Sequence, residues 1–324
     1  MQIKLIGSAK RALRKCIELY FKVHFSWLVW FYIINRKPRA LFVSNRPVLD
    51  PVQARIVNDL NDKGIGITTL AELFPEQPNL LTKLQAYTDQ KVKEQKGVSP
   101  VKPFLKYLWE HTPTLTLTDP FHRLVLDEKI IHVANSYLGL LTNFYILMLN
   151  VTIPVAPDAK TILSQRWHRD HEDKKLCKIF LYLTDVDEEA GPFIYIPYSK
   201  YGKKWGALFP QGAPKGAYPK LGEVEKIIPS NHITKMTGKA GTVIFCDTSG
   251  LHKGGHAFSR ERIMLTAGYR SRASASESKV IRTGLPLDDL PPSVRYALTS
   301  EVPIALSRIM FTIYRKLGKK IQMD

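Results

Sequence analysis

A chain of 324 residues with 44% hydrophobic and 10% aromatic content carries ample apolar surface for a core, so a disordered tail is excluded. Three cysteines, Cys16, Cys177 and Cys246, without C-x-x-C spacing exclude a disulfide framework and a thiolate zinc site, and they fit a reducing cytoplasm. The net charge of +18 invites a nucleic-acid reading, but nine Lys/Arg against one acid fall in residues 1–40 and five against two in residues 301–324. The chain is a mildly basic core with basic ends, and nucleic acid is not the expected partner.

The N-terminal segment, residues 1–45, joins Lys4, Lys10, Arg11, Arg14 and Lys15 to the apolar run Phe25 to Ile34, with Trp27, Trp30, Phe31 and Tyr32. That run is shorter than the roughly 20 residues a spanning helix needs, and the Asn35-Arg36-Lys37-Pro38 that follows is not a signal-cleavage site. A helix packed on the body of the protein is the first expectation; an interfacial helix in peripheral contact with a membrane is the second. The C-terminal segment, residues 281–324, with Ile304 to Ile321 carrying Arg308, Arg315, Lys316, Lys319 and Lys320, reads the same way.

Residues 46–140 read as a helical scaffold. Asp50-Pro51 supplies an N-cap and a first-turn proline, Val52, Ile56, Val57 and Leu60 form a buried stripe, and Gly64 ends the helix. A short strand over Ile65 to Thr68, a capping box at Thr69 to Glu72, a helix from about Asn79 to Val92 and a loop from Gly97 to Pro103 follow. Asp119-Pro120 opens one further helix that runs to Gly139.

From residue 141 to 275 the pattern is β. Runs at Tyr145 to Ile153, Leu176 to Leu183, Phe193 to Ile196, Thr242 to Cys246 and Ile263 to Tyr269 are rich in β-branched and aromatic residues and bounded by Gly, Pro, Asp and Ser. Helices followed by short antiparallel strands predict a mainly β fold with flanking helices around a double-stranded β-helix, that is, a jelly-roll or cupin-like core. One domain, 46–280, is expected, with a Gly/Pro/Lys-rich loop from Tyr198 to Asn231 as a lid or substrate loop.

Chemistry concentrates in Trp167-His168-Arg169-Asp170-His171-Glu172-Asp173 and in Asp247-Thr248-Ser249-Gly250-Leu251-His252-Lys253-Gly254-Gly255-His256. Extended backbone puts residues i and i+2 on one side, so His168 and Asp170 can grip one ion. His252 would complete a two-histidine, one-carboxylate face, which leaves open positions on iron(II). A competing register, His171 with Asp173, has the same spacing. Arg262, ten residues beyond His252, is the candidate anchor for a dicarboxylate, because a guanidinium offers a planar two-pronged donor. Arg260 is the alternative anchor, a surface ion pair with Glu261 or Asp247 is the plain reading of Arg262, and Thr266 shares its strand face.

These segments, with Asp185-Val186-Asp187 leading to Gly191-Pro192 and with Pro197-Tyr198-Ser199-Lys200, resemble the phytanoyl-CoA dioxygenase family of iron(II)- and 2-oxoglutarate-dependent oxygenases over roughly residues 50–275. The resemblance implies that His168, Asp170 and His252 bind Fe(II) and that Arg262 holds the distal carboxylate of 2-oxoglutarate. It also implies that dioxygen is consumed, with the oxo acid leaving as succinate and the substrate oxidised. Related halogenases lack the carboxylate, so Asp170 implies hydroxylation or desaturation. Tyr198 and Lys200 depart from the family, which often shows Gly and His there; the change reads as loop variation. The substrate is expected to be a small molecule, lipid or glycan, anionic if the loop lysines Lys200, Lys203, Lys204, Lys215 and Lys220 contact it. A non-catalytic cupin-like metal module and a basic membrane or nucleic-acid adaptor are the competing readings.

Overall fold

The computed structural model describes residues 2–97, 99–212, 217–299 and 305–317, without the side chains of residues 2–8 and 315. The N-terminal segment is helical throughout. It comprises α1 (Gln2–His24), a π-helical elbow (Leu28–Ile34) and α2 (Arg36–Ser44). Of the C-terminal basic segment, residues 300–304 and 318–324 lie outside the described residues, as does Lys215 of the loop.

The scaffold follows from its caps. In α3 (Pro51–Asp62) the Asp50 carboxylate accepts from Gln53 N while the Gln53 side chain accepts from Asp50 N, satisfying helix-end donors that would otherwise be unpaired. Strand β1 (Ile65–Thr69), helix α4 (Leu70–Leu73), capped by Thr69, and helix α5 (Leu80–Glu94) follow. The single helix expected after Pro120 is two, α6 (Pro120–Val125) and α7 (Glu128–Leu138). The break falls at Asp127, whose side chain accepts from Lys129 N and caps a new helix start. Gly139, at φ 73°, ends α7 in the left-handed region that a Cβ disfavours.

Two sheets make the jelly roll. The larger has the order β1, β7 (Thr242–Cys246), β4 (Cys177–Tyr182), β9 (Arg262–Arg270), β3 (Asn143–Thr152), β2 (Leu105–Tyr107), with every neighbouring pair antiparallel. The smaller has β6 (Thr234–Met236), β5 (Phe193–Tyr195) and β8 (His252–Gly254). Strands β2, β6 and β8 escape the sequence pattern because three residues carry no readable period. Alternation sorts the faces of the large sheet. Leu147, Leu149, Ile179, Leu181, Phe245, Leu265 and Tyr269 pack outward on α3, α6 and α7, whereas Phe180, Tyr182, Ile244, Cys246 and Met264 face Phe193 and Tyr195 of the small sheet. The candidate chemistry sits on that inner side.

The basic ends pack together on the body. Ile17 and Phe21 of α1 meet Tyr314 of the C-terminal helix Ala305–Leu317 and Ala275, and Trp30 is fully buried in the main core. The packed-helix expectation for the N-terminal segment is therefore met on one of its sides.

Candidate metal centre

Residues 168–170 lie in extended backbone against the turn before β8. His168 N donates to His252 O and His252 N to His168 O, at 2.9 and 3.0 Å, and Asp170 N donates to Thr248 O at 2.9 Å. This pairing continues the small sheet by one short segment and settles the parity: His168 and Asp170 face the same way and Arg169 the other. His168 Nε2 lies 3.9 Å from Asp170 Oδ1, His252 Nε2 lies 3.7 Å from Asp170 Oδ2, and the ligand atoms of the three residues all fall within 4.8 Å of one another.

The tautomers of the two imidazoles follow from their backbone partners. His168 Nδ1 is 2.8 Å from Arg166 O and His252 Nδ1 is 3.0 Å from Gly250 O. A carbonyl only accepts, so each Nδ1 carries the proton and each Nε2 presents a lone pair toward Asp170. Burial lowers both histidines, His252 to about 3 with the neighbouring His168 adding to the effect, so both are neutral at physiological pH. Burial alone would raise the Asp170 carboxyl. The Lys178 ammonium is the largest opposing influence, and the group is held well below the usual carboxylate range.

The competing register is built differently. His171 stacks on Phe311 at 5.5 Å, and Asp173 is fully buried as an acceptor for Trp30 Nε1 (2.6 Å), Ser271 N (2.7 Å) and Lys174 N (2.7 Å). Both Asp173 oxygens are committed to fastening the N-terminal elbow to the end of β9.

Arg262 begins β9 on the inner face, in register with Thr152. Its Nη2 donates to Thr152 Oγ1 at 3.0 Å and its Nη1 to Gly191 O. Gly191 itself, at φ 70°, packs on the 255–257 turn, where a Cβ would stand 2.6 Å from Ala257 N. The guanidinium is 5% exposed, its Nε has no partner, and no carboxylate pairs with it among the described residues. Arg260, by contrast, is exposed and pairs with Asp187 and Glu189. A buried cation without a counter-ion is costly unless an anion arrives, which fits a dicarboxylate. Along β4 the inward residues Lys178, Phe180 and Tyr182 run from Asp170 to Arg262, which shares a hydrogen bond with Tyr182. Four residues of strand span roughly 13 Å. Tyr145 Oη, Asn150 Oδ1 and Glu172 Oε2 are further buried polar atoms without a protein partner.

Three residues that shape the site were not singled out in the sequence. Lys178 bonds Asp170 at 2.6 Å and Glu172 at 3.4 Å; a lone Lys at an inward position of an otherwise apolar strand was its signal. Arg169, 2% exposed, donates to the carbonyls of Ser199, Trp205, Leu208, Phe209 and Ser249, and so ties the 198–222 loop to both histidine-bearing segments. Asp247 accepts from Tyr137 Oη (2.5 Å), Ser249 N (3.0 Å) and Leu176 N (3.3 Å), fixing the turn that delivers His252.

The loop covers the centre as a lid would. Arg169 N donates to Ala217 O at 3.0 Å and the Tyr218 ring stacks on His168 at 5.4 Å. Tyr198 adopts φ 63°. The position where the family often places glycine is therefore a left-handed one, and the tyrosine occupies it under strain rather than as a neutral loop variant. The loop lysines are engaged one by one: Lys203 pairs with Asp62, Lys204 lies over Trp205, and Lys200 is buried above the Tyr137 ring.

A jelly roll that gathers two neutral imidazoles and a carboxylate on its inner face, with a buried unpaired guanidinium in the same space, defines the cupin-like class of oxygenase fold. The sequence profile of the phytanoyl-CoA dioxygenase (PhyH) family matches residues 81–262, more than half of the chain. The chain belongs to that family. No curated protein sequence matches it. Among solved structures, the epimerase SnoN in complex with Fe3+, alpha ketoglutarate and nogalamycin RO is similar at 16% identity and TM-score 0.52, over 79% of this chain and 94% of that one. SnoN described as a non-heme alpha ketoglutarate dependent epimerase from nogalamycin biosynthesis is similar at 17% and 0.50, again over 79% and 94%. EctD from S. alaskensis with 2-oxoglutarate and 5-hydroxyectoine shares 18% at 0.48, over 81% and 93%. The two similarities to SnoN show the fold.

Proposed function

We propose that this protein is an iron(II)- and 2-oxoglutarate-dependent dioxygenase that hydroxylates or desaturates a small molecule, lipid or glycan. The observation that carries the reading is the convergence of His168 Nε2, Asp170 and His252 Nε2 with both Nδ1 protons held by backbone carbonyls. His168, Asp170 and His252 would hold Fe(II), and Arg262 would hold the distal carboxylate of 2-oxoglutarate. Together with dioxygen, the bound metal and oxo acid supply the oxidising power for a C–H bond.

The chain's own residues do the rest. Asp170 fills the carboxylate position, which supports hydroxylation or desaturation over halogenation. Phe180, Phe193 and Met264 give the inner space apolar walls, and the loop carrying Tyr218 limits water above His168. An anionic substrate rests on the exposed Lys220 of that loop, since Lys200, Lys203 and Lys204 are engaged by Tyr137, Asp62 and Trp205. We place the chain in the cytoplasm, in agreement with three unpaired cysteines, and peripheral to a membrane through its N-terminal segment. The oxygenase reading is tested by anaerobic addition of Fe(II) and 2-oxoglutarate, with a weak visible charge-transfer band expected. Arg262→Ala should raise the 2-oxoglutarate needed for half of the band by about tenfold or more, with Fe(II) affinity kept. No band with the unmodified chain sinks the reading.

A further inference from the structure

Between residues 9 and 48 the chain has one acid, Glu18, which lies 3.6 Å from Arg14. One side of this segment is buried through Ile17, Phe21, His24, Trp30 and Phe42. The other is apolar and open. Leu13, Leu19, Val23, Trp27, Leu28, Tyr32, Ile33 and Val43 are each between 42% and 68% exposed. At 100° per residue, Leu13, Leu19 and Val23 fall on one flank of α1, and Lys15 and Lys22 on the next. At the elbow the apolar surface is continuous: Trp27 stacks on Phe31 at 4.8 Å, Phe31 meets Tyr32 at 5.1 Å, and the Arg39 guanidinium lies over the Tyr32 ring at 4.6 Å. Lys10, Arg11, Lys15, Lys22, Arg36, Lys37 and Arg46 are exposed around it.

We infer that this face, from α1 through the elbow to α2, docks in the plane of an anionic phospholipid bilayer. Exposed aliphatic and aromatic side chains set in a cationic rim match the boundary between acyl chains and anionic headgroups, with Trp and Tyr at the headgroup level. Two copies of this face would bring like-charged rims together, with only Glu18, already engaged by Arg14 and Tyr314, as an acid between residues 9 and 48. A nucleic acid would satisfy the cations but leave Leu19, Val23, Leu28 and Ile33 without apolar partners. No single described helix is long and apolar enough to cross a membrane. The pair Ala9–His24 and Leu28–Ile34 passes together by length and composition but is bent by 65°, and the bend lets both pieces lie along a surface.

The face is tied to the candidate centre. Trp30 Nε1 donates to Asp173 Oδ1 at 2.6 Å and the His24 ring bonds Ala273 O at 2.7 Å, so the docking elements are fastened three residues from Asp170. The inference deepens the peripheral placement proposed above, rests on the oxygenase reading only for what the membrane delivers, and is tested without reference to it.

The test is co-sedimentation of the full chain with phosphatidylcholine vesicles with and without phosphatidylserine. Binding to the anionic vesicles is expected, weakened by added salt. Leu19→Glu/Leu28→Glu/Ile33→Glu should weaken it by about a hundredfold or more, and Arg36→Glu/Lys37→Glu by about tenfold. All five positions are exposed, and the Fe(II)/2-oxoglutarate band or an unchanged melting temperature reports that the variants fold. Absence of binding, equal binding by the unmodified chain and the apolar variant, or a dimer in light scattering that the apolar variant dissolves would each overturn the inference.

Discussion

Lys178 and Asp170 meet across the inner face of the jelly roll, with the ammonium nitrogen 2.6 Å from Oδ2. The carboxylate that reads as a metal ligand thus already has a buried cation beside it, and Glu172 lies 3.4 Å from the same ammonium. Burial opposes the Lys178 charge, but Asp170 and Glu172 more than compensate and raise its pKa well above the ordinary lysine value. The centre is held charged before any metal arrives.

Removing that cation should therefore cost the metal-free protein more than the loaded one. Lys178→Met leaves two buried carboxylates without a partner, a loss of about 3–5 kcal/mol by the usual cost of breaking a buried ion pair. A bound divalent ion would compensate part of it at Asp170. The expected result is a lower melting temperature without metal and a larger rise on adding Fe(II) or Co(II) than the unmodified chain shows; an unchanged metal-induced rise would contradict it.

Register distinguishes the two H-x-D pairs. Asp170→Asn or His252→Ala should reduce metal affinity by about a hundredfold or more while leaving circular dichroism unchanged. His171→Ala should leave metal binding within about twofold. Calorimetric titration of the variants with Co(II) decides the matter, and comparable loss at His171 would move the site.

Arg169 acts through others. Its burial lowers the guanidinium to about 10, yet five carbonyls hold it in place. Lysine cannot replace that planar fork. Arg169→Lys should free the 198–222 loop and increase protease cleavage there, and it should raise the apparent KM for substrate more than it lowers kcat. Limited proteolysis gives a readout that does not require the substrate, and a loop as resistant as in the unmodified chain would remove Arg169 from this role.

Acid should weaken the metal-free fold. His252 has its pKa depressed from the ordinary 6.5 to about 3 by burial, and His24, among Tyr20, Phe21 and Phe25, is depressed for the same reason. A group with a depressed folded-state pKa contributes stability that is intact above its unfolded value and is lost as pH falls through the folded one. Stability should thus decline from about pH 6.5 downward, with His252 alone contributing of order a few kcal/mol by pH 3. Denaturant melts between pH 7.5 and 4 check this, and Co(II) should shift the decline to lower pH.

Much of this was legible in the residues. Asp50-Pro51, Thr69 and Gly139 marked helix ends through cap chemistry that acts locally, and β-rich runs separated the two halves of the chain. The pairing of His168 with Asp170 followed from side-chain alternation along extended backbone, and His252 entered as the distant third ligand that a two-histidine, one-carboxylate face needs. What was not legible depends on contacts distant in sequence. Strands β2, β6 and β8 are set by partner strands dozens of positions away, and Arg169 by carbonyls 30 to 80 positions on. Asp173, spaced like a ligand, is withheld from the centre by Trp30, which lies 143 positions earlier.

That last bond bears on how the molecule can be divided. The family match begins at residue 81, yet the indole of Trp30 is a full member of the principal core and its N–H neutralises part of a sealed-in carboxylate. Trimming to the matched span would open a hole the size of an indole and strip a donor from Asp173. The amino-terminal helices are thus a keystone of the jelly-roll body as well as its outer edge.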